Sequence, residues 1–190
     1  MRLVRCDEAG LAATASVLNA GGVAVIPTDT VYGLAARPDF PDAVSRLYSI
    51  KDRDAQKPIA LLASGPDAPA RFGYPLSGEA ARLAKLWPGA LTLVVEPPPG
   101  DARPAEGFRV PDHEWTRRLL AACGGLLRVT SANLSGRRPA TDAEGALADV
   151  GLSADLVADG GVSPGGVPST VVRVRADGSA EVLRQGAVRL

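Results

Sequence analysis

The stretch Leu126-Leu127-Arg128-Val129-Thr130-Ser131-Ala132-Asn133-Leu134-Ser135-Gly136 runs from a short apolar segment straight into small hydroxyl and amide residues. That pattern reads as a buried strand opening into a polar turn. It puts Ser131, Asn133 and Ser135 at a strand end, with little bulk and many hydrogen-bonding groups, where a ligand can approach the backbone closely. Three other segments carry matching chemistry: Pro27-Thr28-Asp29-Thr30-Val31-Tyr32-Gly33-Leu34, Lys51-Asp52-Arg53 and Pro168-Ser169-Thr170-Val171.

Around this strand, elements of both kinds alternate. Asp7 is placed to cap a helix reaching Asn19, with Leu11, Ala15 and Leu18 at helical spacing, and Gly21-Gly22 ends it. Val23-Ala24-Val25-Ile26 is continuously apolar, as in a strand buried on both faces. Pro41 suits the start of a helix running towards Ile50. A strand is expected over Pro58–Ala63, a helix capped by Ser77 reaching Trp87, and strands over Leu91–Val95 and Phe108–Val110. Asp112 is read as the cap of a helix to Ala122, and another helix is capped near Asp142. Ser169–Val174 and Ala180–Arg184 form a hairpin about Asp177-Gly178. The order predicts one domain spanning residues 1–190: an α/β fold with a twisted, mixed parallel/antiparallel sheet flanked by helices. Gly160–Gly166, the run GGVSPGG, is read as a flexible loop able to act as a lid.

Composition bounds the function. The chain has 190 residues, 46% hydrophobic and 22% charged, enough for a full core and unlike a disordered segment. Its formal net charge of zero argues against gripping long nucleic acid, but leaves room for a local basic pocket. Two separated cysteines, Cys6 and Cys123, disfavour a zinc site and fit a reducing, cytoplasmic setting. The first eight residues lack the apolar core of a signal peptide, and no segment reaches membrane-spanning length. There is no GxxxxGK[ST] loop, no strand-linked GxGxxG and no evident glycosidase-like carboxylate pair. The single histidine, His113, is read as a surface helix residue rather than a triad member.

The candidate binding residues follow from this chemistry. Lys51, Arg53 and Lys57 gather cations at a helix end that leads into a buried strand; such cations complement the helix C-terminus or hold phosphate. Thr28 and Thr30, two apart, point to one side of an extended segment, with Asp29 and Val31 on the other. Arg109 lies in an apolar strand, so it needs an internal carboxylate or a ligand carboxylate. Tyr32 either closes a pocket or packs on the core.

Seven segments in order resemble the YrdC/TsaC family of threonylcarbamoyl-AMP synthases: PTDTVYGL, KDR with Lys57-Pro58, WPGALTLV, FRVP, SANLSG, PSTVV and LRQG. The resemblance runs from about Gly21 to Gly186. It implies a YrdC-like fold and synthesis of threonylcarbamoyl-AMP from L-threonine, bicarbonate and ATP with Mg²⁺, releasing pyrophosphate for the tRNA threonylcarbamoyladenosine pathway. A transient contact with the tRNA-modifying transferase machinery or with tRNA comes with it. It also implies roles: Lys51, Arg53, Ser131 and Asn133 at the reacting centre; Thr30, Tyr32, Arg109, Val129 and Ser169 for substrate; Arg53, Lys57, Ser131, Asn133 and Arg184 for ATP. Asp29 stands where the family more often has Glu, and Asp54 where many members have Pro. Two further readings share the pattern: an RNA-binding module, and a carbamoyl-transfer domain of the same fold.

Overall fold

In the computed structural model, which describes residues 2–190, the strand β1 (Arg2–Arg5) precedes the helix α1 (Glu8–Asn19). Asp7 caps α1, its carboxylate accepting from the Gly10 amide at 2.8 Å. Then come β2 (Ala24–Ile26), β3 (Gly33–Ala36), α2 (Pro41–Lys51), β4 (Leu61–Ala63), α3 (Ala68–Arg71) and α4 (Gly78–Leu83). The second half holds β5 (Leu91–Val95), β6 (Glu106–Arg109), α5 (Glu114–Ala122), β7 (Leu126–Ser131), α6 (Ala143–Asp149), β8 (Leu156–Asp159), β9 (Thr170–Val174) and β10 (Ala180–Arg184).

The strands form one sheet in the order β1-β8-β2-β3-β7-β4-β6-β5-β9-β10. β8 pairs parallel with β1 and β2, as do β4 with β6 and β5 with β9; the remaining neighbours run antiparallel. The expected mixed sheet flanked by helices is therefore the architecture found. The Asp177-Gly178 hairpin is also as expected, with Gly178 at φ +83°.

Several local expectations give way. Ser77 makes no side-chain cap, and α4 passes into a 3₁₀ turn at Ala84–Leu86 before reaching Trp87. The cap of α5 is His113, not Asp112: its Nδ1 accepts from the Thr116 amide at 3.3 Å, while Asp112 pairs with Arg117. His113 is accordingly half-buried rather than a surface residue. Pro58–Ala60 stays outside the ladder of β4.

Side-chain alternation divides the sheet into quadrants. On one face, Val25, Leu34 and Val157 pack with Leu47 of α2 and Ala146 of α6. Farther along that face, Leu61, Phe108, Leu93 and Val172 pack with Leu83 of α4 and with Trp87. On the opposite face, Ile26, Ala35, Leu127 and Leu62 are covered by Leu18 of α1 and Leu119 and Leu120 of α5. Arg109 sits beside Leu62 in register, and Thr92, Val94, Val171 and Arg173 continue that face across β5 and β9. Residues side by side in register share a face, so the fourth quadrant is the one that the three apolar clusters leave open. It becomes a cavity of about 780 Å³.

Leu119 is fully buried between α5 and the sheet. Leu119→Ala is expected to cost about 2–5 kcal/mol of unfolding free energy, read from denaturant midpoints at unchanged slope. A loss below about 0.5 kcal/mol, the scale of surface changes, would contradict this packing.

Candidate functional site

Each candidate residue named from the sequence lines this one cavity: Thr30, Tyr32, Lys51, Arg53, Lys57, Arg109, Val129, Ser131, Asn133, Ser169 and Arg184. Segments up to 154 positions apart (30 to 184) are brought together by the pairing of β3, β7, β4, β6, β5, β9 and β10.

At one end lies Arg109, 6% exposed. Its Nε donates to the Gly89 carbonyl at 3.0 Å, Nη1 to Thr30 Oγ1 at 2.9 Å, and Nη2 to Asp29 Oδ1 at 2.5 Å. Three of the five guanidinium N–H groups are thus committed and two remain. Burial pulls the Arg109 pKa down, and the Asp29 carboxylate opposes that shift. Asp29 does not point away from Thr30 as an extended segment would require. Thr28 Oγ1 accepts from the amides of Thr30 (3.1 Å) and Val31 (3.3 Å), which bends the chain into a hydroxyl-closed turn. The bend aims both Asp29 and Thr30 at Arg109. Thr28 spends its own proton on the Val31 carbonyl at 2.7 Å, so in the 3.0 Å contact between the two hydroxyls Thr30 donates. Thr30 Oγ1 therefore faces Arg109 as an acceptor.

Ser169 stands across from this group. Its hydroxyl is 2.8 Å from that of Thr92, and Arg184 donates to its carbonyl at 2.8 and 3.1 Å and to its Oγ at 3.2 Å. The Arg184 pKa is lowered by burial first, then by Arg109 and Arg53. Mutual cation repulsion of this kind favours an anionic guest.

At the other end, α2 meets the turn after β7. Lys51, 2% exposed, donates its ammonium to the carbonyls of Ser131 and Asn133, and lies 3.4 Å from Asn133 Oδ1. Its own carbonyl accepts from the Ser135 amide at 2.9 Å. Asn133 Nδ2 donates to the carbonyls of Leu134 (2.8 Å) and Arg137 (2.9 Å). Lys51 and Asn133 thus shape the turn, and the Ser131 end of β7 is held against the cavity. Arg53 donates to the carbonyls of Lys57 and Pro58, both at 3.2 Å, closing the loop that carries Lys57. Asp54 makes its own turn there, accepting from Gln56 N at 2.9 Å on its side chain and from Lys57 N at 3.1 Å on its carbonyl.

The glycine-rich loop is fastened at both ends. Tyr32 Oη donates to the Gly161 carbonyl at 2.6 Å and accepts from the Gly160 amide at 3.0 Å; burial pushes its pKa up to about 12. The Gly166 amide donates to the Thr30 carbonyl at 2.8 Å. A Cβ on Gly165 would lie 2.6 Å from the Asp29 carbonyl oxygen, so only glycine lets the loop sit on the Thr28–Val31 turn. Thiol chemistry has no support: burial pushes Cys6 up to about 12 and Cys123 up to about 11.

Sequence reasoning overlooked Thr92, a lone hydroxyl on the cavity face of an apolar strand, and the partnership of Asp29 with Arg109. The first carried a signal, since Thr92 shares a side with Val94 and breaks the run LTLVV. For the second, the need of Arg109 for a carboxylate was visible, but that Asp29 meets it depends on the turn and was not.

The family model Sua5_yciO_yrdC, described as telomere recombination, matches residues 16–186. The chain belongs to this Sua5/YciO/YrdC family. It is 36% identical over 183 residues to the threonylcarbamoyl-AMP synthase of Chromohalobacter salexigens, covering 92% of this chain and 96% of that protein. Among solved structures it resembles P. abyssi Sua5 complexed with L-threonine, at 29% identity and a TM-score of 0.88. That match covers 97% of this chain and 57% of that one, so the chain spans little more than half of that protein. It also shares the fold of E. coli YciO, at 24% identity and a TM-score of 0.86, covering 99% and 96% of the two chains.

Asp29→Ala leaves the Arg109 cation uncompensated and is expected to cost about 3–5 kcal/mol. In the double variant with Arg109→Met the loss shrinks, because no unpaired charge remains; equal losses in both would show that the pair is not coupled. Burial, with Arg53 second, lowers the Lys51 pKa from 10.5 to about 8. Between those values the unfolded chain binds the proton more tightly, so stability rises with pH across the window. The unfolding free energy of the wild type relative to Lys51→Met should therefore climb from about pH 8 to pH 10.5. A flat difference would contradict a destabilised ammonium.

Proposed function

We propose that the chain is an L-threonylcarbamoyladenylate synthase, acting in the cytoplasm on L-threonine, bicarbonate and ATP. The observation that carries this reading is the division of one cavity into two ends of different chemistry. Arg109, Thr30 and Ser169 suit an amino acid; Arg53, Lys57 and the Lys51-built turn suit phosphates. The two spare N–H groups of Arg109 match a carboxylate fork, and the acceptor oxygen of Thr30 suits an amine. The names of the relatives agree with both halves.

The chemistry has two steps. The neutral amine of threonine attacks the carbon of bicarbonate; the C–N bond forms, protons transfer to the departing oxygen, and water leaves. An oxygen of the resulting carbamate attacks the α-phosphorus of ATP. A P–O bond forms there as the bond to the β-phosphate oxygen breaks, and pyrophosphate takes the electron pair. Neither step requires a protein nucleophile. Arg109 fixes the carboxylate, Thr30 orients the amine, and the cations neutralise charge that builds on the leaving group. Mg²⁺ would enter with ATP: the cavity's donors are mostly cations and hydroxyls, and among the described residues no group of three or more His, Cys, Asp or Glu is placed to hold a metal. Phosphate oxygens and water would then be its ligands. The product would pass to the tRNA-modifying machinery by transient contact. Among the described residues no helix is long and apolar enough to cross a membrane.

Pyrophosphate release from ATP is expected to require both L-threonine and bicarbonate. Arg53→Ala should leave the fold intact and lower turnover by about a hundredfold or more. Release independent of threonine, or supported equally by carbamoyl phosphate, would instead favour the carbamoyl-transfer chemistry.

A further inference from the structure

Lys57, Pro58, Ile59 and Ala60 form one wall of the cavity where the chain enters β4. Each of their carbonyls accepts a hydrogen bond. Arg53 donates to Lys57 and Pro58, Arg128 Nη1 to Ile59 at 2.7 Å, and the Val129 amide to Ala60 at 3.1 Å. Among the described residues, the first three carbonyls accept from guanidinium groups and from no backbone amide. Arg53 belongs to the same loop, so of these three bonds only the one from Arg128 ties the wall to the sheet.

Arg128 does not itself line the cavity. It is level with Leu61 of β4, and Glu106 of β6 is level with Val95; both neighbours belong to the apolar cluster under α4, on the face opposite the cavity. The two side chains meet across β4 in a fork, Nη1 to Oε1 at 2.7 Å and Nη2 to Oε2 at 2.6 Å. Oε1 also accepts from the Gly107 amide at 2.9 Å. A chain of hydrogen bonds therefore runs from the Gly107 amide through Glu106 and Arg128 to the Ile59 carbonyl. Both ends are backbone groups of cavity residues, and the middle lies behind the sheet. Gly107 and Ala60 meet closely, since a Cβ on Gly107 would lie 3.1 Å from the Ala60 Cβ. A shift of the wall would thus reshape the floor beside it.

We propose that Arg128, held by Glu106, is a positioning residue for ATP: it sets the wall that carries Lys57 and touches no substrate. This rests on the reading that Lys57 faces the phosphates of ATP. The test is calorimetric titration of wild type, Arg128→Lys and the double variant Arg128→Met/Glu106→Leu with ATP and, separately, with L-threonine. Exchanging a sheltered ion pair for apolar side chains is often near neutral for stability, so the double variant should melt close to wild type. Its ATP affinity should fall about three- to tenfold, the scale of one hydrogen bond, with threonine affinity changed less than about twofold. Arg128→Lys should lie between, because an ammonium cannot serve the carboxylate fork and the Ile59 carbonyl equally well. Should the double variant not fold, Arg128→Lys must still weaken ATP and spare threonine. Unchanged ATP affinity in a folded variant, or an equal loss for threonine, would overturn the assignment and leave a purely structural ion pair. Failure of the wild type to bind ATP would overturn the nucleotide reading itself.

Discussion

A guanidinium in an apolar strand must find acceptors or unfold its surroundings, and Arg109 meets that demand by joining three separate parts of the chain. Its bonds reach the loop after Trp87 through Gly89 and the turn after β2 through Asp29 and Thr30. The turn in turn carries the glycine-rich loop, which hangs on the Thr30 carbonyl and on Tyr32. One buried charge therefore sets the positions of the turn and of the loop above it. Two of its five N–H groups have no protein partner, which the proposed carboxylate-binding role requires.

The sheet supplies the space. Helices cover three quadrants and bury the leucine, valine and phenylalanine side chains expected of them. The strands of the fourth carry Gly107, Thr92, Val94 and Arg109 on the open face, too small or too polar to recruit a helix. The same alternation that builds the core therefore leaves the cavity, and the site is a property of the sheet's patterning rather than of a loop added to it.

Much of this was legible in the chain. The long periodic segments gave α1, α2 and the β9–β10 hairpin, because capping residues and turn residues act locally. β1, β3 and β8 were not legible. Gly33-Leu34-Ala35-Ala36 has no β-branched residue, and β8 earns its place only by parallel pairing between β1 and β2, which no local signal reports. The cation cluster was visible as residue types, but the protein partners of its members were not. Lys51 is turned onto two carbonyls by the turn it supports, and Asp29 is swung onto Arg109 by the hydroxyl of Thr28; both depend on hydrogen bonds that spacing alone does not encode.

On the proposed reading, one cavity holds an amino acid at its Arg109 end and a nucleotide at its Ser131 end. A crystal structure of the chain with L-threonine and a non-hydrolysable ATP analogue tests it most directly. The threonine carboxylate is expected within hydrogen-bond distance of Arg109, with the α-phosphate between it and the turn at Ser131–Asn133. Threonine bound elsewhere while Arg109 keeps only Asp29, Thr30 and Gly89, or a nucleotide lying outside the open quadrant, would contradict it.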